Sequence, residues 1–121
     1  MFKAFRKDEG FTLVELMVVV LIIGILVAIA IPIFNNASKQ AKLNTCKANI
    51  RTINGAVAQK ATTDGKALAD MGTVAISDLV GDYLKAAPKC PYDIAYTVSN
   101  GTVDEAAHIS TDGKSHVVPA N

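Results

Sequence analysis

An α+β fold, in which a long N-terminal hydrophobic helix packs on a small antiparallel β-sheet, is predicted by three features of the sequence. Residues 16–34 are nineteen consecutive residues with no charge and no side chain more polar than Gly or Pro. Residues 35–60 then place Leu43, Cys46, Ile50, Ile53 and Val57 at intervals of 3, 4, 3 and 4, which is one apolar stripe along a helix. Past residue 90 the pattern changes to strand-like runs broken at Asn100-Gly101, a strong short-range hairpin signal. At 121 residues one domain is expected. With 12 Lys+Arg against 11 Asp+Glu, a formal net charge of +1, the chain is not suited to wrapping nucleic acid or to forming an acidic disordered tail.

The apolar run is long enough to span a bilayer as helix. Extended back to Phe11 it reaches about 36 Å at 1.5 Å per residue. A conventional secretory signal has a shorter apolar core and a small-residue cleavage site. Here the run is longer, and Pro32-Ile33-Phe34-Asn35-Asn36 after it shows no such site, so the segment is expected to be retained. Lys3, Arg6 and Lys7 precede the span and orient residues 1–10 to the cytoplasm by the positive-inside tendency. Lys39 and Lys42 on the other flank moderate that argument.

Glu15 is the anomaly, because a carboxylate deep in lipid costs roughly 2.5–3.5 kcal/mol on insertion scales. One reading is local: Thr12 and Glu15 fit the S/T-x-x-E capping box that opens many helices. The other comes from the surrounding run, Gly10-Phe11-Thr12-Leu13-Val14-Glu15-Leu16-Met17, with a basic leader before it and an apolar helix carrying Gly24 and Pro32 after it. Over about twenty-five residues this resembles the N-terminal segment of the type IV pilin family, which includes the pseudopilins of type II secretion and competence systems. The resemblance implies cleavage between Gly10 and Phe11 by a prepilin peptidase, then N-methylation of Phe11. It also implies polymerisation of the protein into a helical surface filament with the "lollipop" fold of small pilins.

The chemistry of those residues agrees with the resemblance. Gly10 has no Cβ to obstruct an approaching enzyme. Cutting there leaves an ammonium at Phe11, four residues from Glu15 and on the same helix face. A buried carboxylate needs a partner, and the amine of an adjacent subunit can supply it and set the register between helices. Pro32 has no N–H for the carbonyl of Ala28, so a kink or melted turn is expected between Gly24 and Pro32.

The predicted organisation is a leader at 1–10, a membrane or filament-core helix at 11–34, its amphipathic continuation at 35–60 and a small domain at 61–121. The continuation carries Lys39, Lys42, Lys47, Arg51 and Lys60 without an acid among them, while residues 61–121 hold four Lys and eight acids. Charge complementarity within or between subunits accounts for that basic face; DNA binding is compatible with it but not indicated. Thr63-Asp64-Gly65-Lys66 reads as a turn and residues 77–85 as a short helix before Pro88. Strands are predicted at 94–99, 102–110 and 115–118, forming a three-stranded meander on the apolar stripe.

So small a core commonly needs a staple. Cys46 lies on the stripe and Cys90 at the start of the sheet region, and a bridge between them would close a loop of about 45 residues, contributing up to roughly 4 kcal/mol. Two thiols are the alternative. His108 and His116, in predicted strands, read as sheet-surface histidines with no metal-ligand spacing. Asp104-Glu105 is too sparse a pair for a Ca²⁺ loop. No nucleophile elbow, P-loop or dinucleotide turn occurs, so no enzyme activity and no cofactor are expected.

The sequence reading is therefore a structural subunit of a type IV pilus. Its expected partners are copies of itself, the peptidase and methyltransferase, and an assembly platform with its ATPase motor. It is placed first in the cytoplasmic membrane with its N-terminus inside, then in an extracellular filament serving adhesion, twitching motility or DNA uptake. A pseudopilin and a monomeric single-pass binding module are the rivals. Mass spectrometry of surface-sheared material should find a mature chain that begins at methylated Phe11; a chain retaining Met1 would refute the processing.

Overall fold

A computed structural model of the protein describes residues 10–109. The chain divides into two compact units, Met1–Asn36 and Ala37–Asn121, and helix α1, Leu13–Asp64, contributes to both. The fold is α+β, one long helix with an apolar N-terminal half and a small three-stranded antiparallel sheet.

In the first unit the helix opens on the capping box read from the sequence. The Thr12 N–H donates to Glu15 Oε2 at 2.8 Å, and the Glu15 N–H donates to Thr12 Oγ1 at 3.2 Å. Two amides that the first helical turn leaves without intrahelical partners are thereby satisfied. From there to Phe34 every large apolar side chain is exposed. The expected melted turn is not seen in this chain: α1 runs unbroken through Gly24 and Pro32. A single proline removes one hydrogen bond from a helix whose neighbouring turns remain intact.

In the second unit α1 buries Leu43, Cys46, Ile50, Ile53, Ala56, Val57 and Ala61. This is the predicted stripe, extended by two alanines. The helix stops at Asp64, where Gly65 takes a φ of 65° and ends it in the left-handed conformation. A 3₁₀ turn at Leu68–Met71 leads into β1, Thr73–Val74, and another follows at Ile76–Asp78. Strands β2, Val98–Ser99, and β3, Thr102–Val103, form the expected hairpin, with Asn100 and Gly101 both at positive φ (51° and 80°) as a type I′ turn requires.

Several secondary-structure expectations are corrected. The third strand in the sheet is β1, paired antiparallel to β2 with Val74 opposite Val98; the strand expected at 115–118 lies outside the described residues. The strand expected at 102–110 ends at Val103, because Asp104 accepts the Ala106 N–H at 3.1 Å and starts a 3₁₀ turn at Glu105–Ala107. Of the strand expected at 94–99, the last two residues pair. The helix expected at 77–85 is a 3₁₀ turn, cut short where Gly81 adopts a φ of 104°.

Val74, Leu79, Val98 and Val103 pack with the helix stripe into one core. Two asparagines on α1 join helix to sheet region. Asn54 Oδ1 accepts the Val103 N–H at 2.8 Å, and Asn49 Nδ2 donates to the Lys89 carbonyl at 2.9 Å. Gly101 is fixed by its positive φ and by its neighbour, since a Cβ there would collide with the Leu68 carbonyl. Gly101→Ala is expected to destabilise the domain by about 2–3 kcal/mol, measurable as a lower midpoint in urea denaturation. An unchanged midpoint would mean the hairpin does not anchor the sheet.

Candidate functional site

Two groups of residues carry chemistry, one in each unit. In the first, Gly10, Phe11 and Thr12 precede the helix, and Phe11 is 86% exposed. A peptidase needs an extended, accessible bond, and Gly10 and Phe11 are exposed, lie outside the helix and have open space where a Cβ on the glycine would point. Glu15 follows within the first helical turn, its carboxylate held by the Thr12 amide rather than buried. Gly24 and Pro32 sit within the uncovered apolar helix.

The second group is in the core. Cys46 is fully buried on α1, Cys90 is buried just ahead of the loop that leads to β2, and His108 is fully buried directly after the last 3₁₀ turn. Their sulfurs and an imidazole nitrogen all lie within 4.8 Å of one another. The structure thus brings the two cysteines together in the core, as the sequence led one to expect.

Tyr96 organises this group. Its ring stacks on His108 with centroids 4.4 Å apart and planes 22° from parallel. Its hydroxyl donates to Cys46 Sγ at 3.7 Å and accepts from Asn49 Nδ2 at 3.1 Å. The Tyr92 N–H donates to Cys90 Sγ at 3.4 Å. Burial pushes the Cys46 thiol above its ordinary value, partly offset by the Tyr96 hydrogen bond, and burial likewise pushes the Tyr96 phenol up.

His108 corrects the sequence reading, which placed it on the sheet surface. The strand expected to carry it ends before it, and the 3₁₀ turn directs the imidazole inward; His116 lies outside the described residues. No spacing announced this residue, since 44 and 18 positions separate the three donors. On the basic face, Lys60 pairs with Asp64 one turn along the helix at 3.1 Å, and Lys42 lies 5.1 Å from the Tyr92 ring centroid, a cation–π contact.

Residues 5–31 match the family model described as the prokaryotic N-terminal methylation motif, which takes in Gly10, Phe11, Glu15 and Gly24. The ComG operon protein 3 homolog of Bacillus licheniformis is 32% identical over 97 residues, covering 78% of this chain and 94% of that protein. The chain belongs to the type IV pilin and pseudopilin family. Other relatives align over shorter stretches. The type II secretion system core protein G of Pseudomonas aeruginosa is 44% identical over 52 residues, 43% of this chain and 37% of its own length. The type IV major pilin protein PilA of Myxococcus xanthus is 49% identical over 47 residues, 39% of this chain and 21% of its own. This family member therefore spans well under half the length of those two. No solved structure matches it.

The raised Cys46 and Tyr96 groups have a consequence for alkaline stability. Above their ordinary values of 9.0 and 10.0 the unfolded chain loses protons that the folded chain keeps. Their contribution is therefore complete below about pH 9 and declines as pH rises. Urea denaturation in reductant and chelator should give a lower stability at about pH 10 than at about pH 8. A flat profile would show that the thiol ionises as readily in the folded domain as in the unfolded chain.

Proposed function

We propose that the chain is a structural filament subunit of a type IV pilus, made as a precursor, cut after Gly10, methylated at Phe11 and assembled through its N-terminal helix. The observation that carries this reading is a helix whose N-terminal half is apolar enough to cross a membrane, stands uncovered among the described residues and opens on a carboxylate. Membership of the family, and the match of its methylation motif to residues 5–31, support it.

In this mechanism the precursor waits in the cytoplasmic membrane with residues 1–10 in the cytoplasm. The capping box keeps Glu15 engaged near the interface until the peptidase exposes an ammonium at Phe11. Helices leaving lipid for a protein bundle gain little hydrophobic free energy, because lipid tails and Leu are equally apolar. A charge pair between Glu15 of one subunit and the Phe11 amine of the next then sets axial register. An assembly platform and ATPase motor drive insertion, and adhesion, motility or DNA uptake follow from the fibre.

A pseudopilus of a competence or secretion system is the second reading, and one observation favours it. This chain spans the ComG operon protein 3 homolog almost end to end, whereas the major pilin PilA is matched over 21% of its length.

Removing one member of a buried ion pair costs about 3–5 kcal/mol, or at least a hundredfold in an assembly equilibrium. Glu15→Ala is expected to reduce sheared filaments at least that far while the processed chain accumulates in the membrane fraction. Electron microscopy and immunoblotting of both fractions read the outcome, and normal filaments would rule out the register role.

A further inference from the structure

We propose that Cys46, Cys90 and His108 form a zinc site inside the small domain. The three donors come from separate parts of the chain, the helix, the loop before β2 and the segment after β3, and they meet in the core with their ligating atoms within 4.8 Å of one another. Tetrahedral ligation with Zn–S bonds of about 2.3 Å and Zn–N bonds of about 2.0 Å sets donors roughly 3.5–4 Å apart. The group therefore needs a contraction of about 1.3 Å at most to close on an ion. A disulfide would require the sulfurs to approach to about 2.0 Å.

The donor set selects the ion. Thiolate and imidazole ligands suit zinc, which has no redox chemistry and accepts mixed sulfur and nitrogen donors. Two thiolates and a neutral imidazole around Zn²⁺ sum to zero charge, the state that costs least in a site this buried. Ligation replaces two S–H bonds with two Zn–S bonds, releases two protons to solvent and takes a lone pair from His108; no electrons are exchanged. The Tyr96 hydroxyl, steadied by Asn49, donates to Cys46 Sγ and stabilises the thiolate from outside the coordination sphere. A cleft of about 530 Å³, lined by Ile76, Pro88, Cys90, Ile94 and Tyr96 among others, opens beside one of the three ligands, Cys90. Zinc would then be the staple that this thin core needs, joining three segments where a disulfide joins two.

The site is independent of filament assembly and is tested on the full chain in detergent, reduced and stripped with chelator. Cobalt(II), the spectroscopic probe, is expected to bind at one equivalent. It should produce a sulfur-to-cobalt charge-transfer band and the intense visible bands of a tetrahedral centre, both abolished by one equivalent of zinc. Zinc should also raise the thermal midpoint of the wild-type chain, reversibly with chelator. His108→Gln should weaken cobalt binding by roughly tenfold or more while the thiolate band persists. Absence of a charge-transfer band in the reduced wild-type chain would overturn the site. So would recovery of the native protein with a Cys46–Cys90 disulfide, seen as a 2 Da mass deficit that reductant removes.

Discussion

Eighteen large apolar side chains from Phe11 to Phe34 stand exposed, all but Phe11 on one helix, and water is a poor solvent for all of them. At about 1.5–3 kcal/mol for each such side chain, covering them is worth tens of kcal/mol, more than the entire stability of a small domain. This unmet demand is the constraint on which the rest of the protein depends. A bilayer meets it, and so does a bundle of identical helices. Because the two environments are nearly equal in apolar terms, the choice between them falls to the few polar groups at the helix start. On the proposed reading, that is the source of the leverage of Glu15, the carboxylate at the helix start.

The same helix solves a different problem past Asn36. There its apolar residues narrow to a stripe, and the domain that covers the stripe is small, with strands of two residues each. Such strands supply few ladder hydrogen bonds, so side chains take over part of the work. Asn54 completes the β3 amide that faces the helix, and Asn49 holds both the Lys89 carbonyl and the Tyr96 hydroxyl. These contacts act at long sequence separation and fix the hairpin against one side of the helix.

The centre of this domain is polar as well as apolar. Two thiols, a phenol and an imidazole share a volume that aliphatic side chains could have filled. Buried polar groups in a low-dielectric interior are costly when unsatisfied and specifying when satisfied. Their convergence from three parts of the chain makes them the point through which helix, loop and sheet are held in one arrangement.

Local signals were legible without coordinates. The apolar run, the Thr12–Glu15 cap, the 3-4 stripe from Leu43 to Val57, the stop at Gly65 and the Asn100-Gly101 hairpin each depend on residues a few positions apart, and each stands in the structure. The pairing of Thr73–Val74 with β2, the collapse of the 77–85 helix to a 3₁₀ turn and the burial of His108 were decided by tertiary contacts. A two-residue strand has no periodicity to read, and a histidine becomes a core residue only when a distant tyrosine stacks on it. Sequence alone determined what the helix must do with its surface; folding determined which distant side chains would meet beneath it, because proximity across 44 and 18 residues arises from packing and leaves no local pattern.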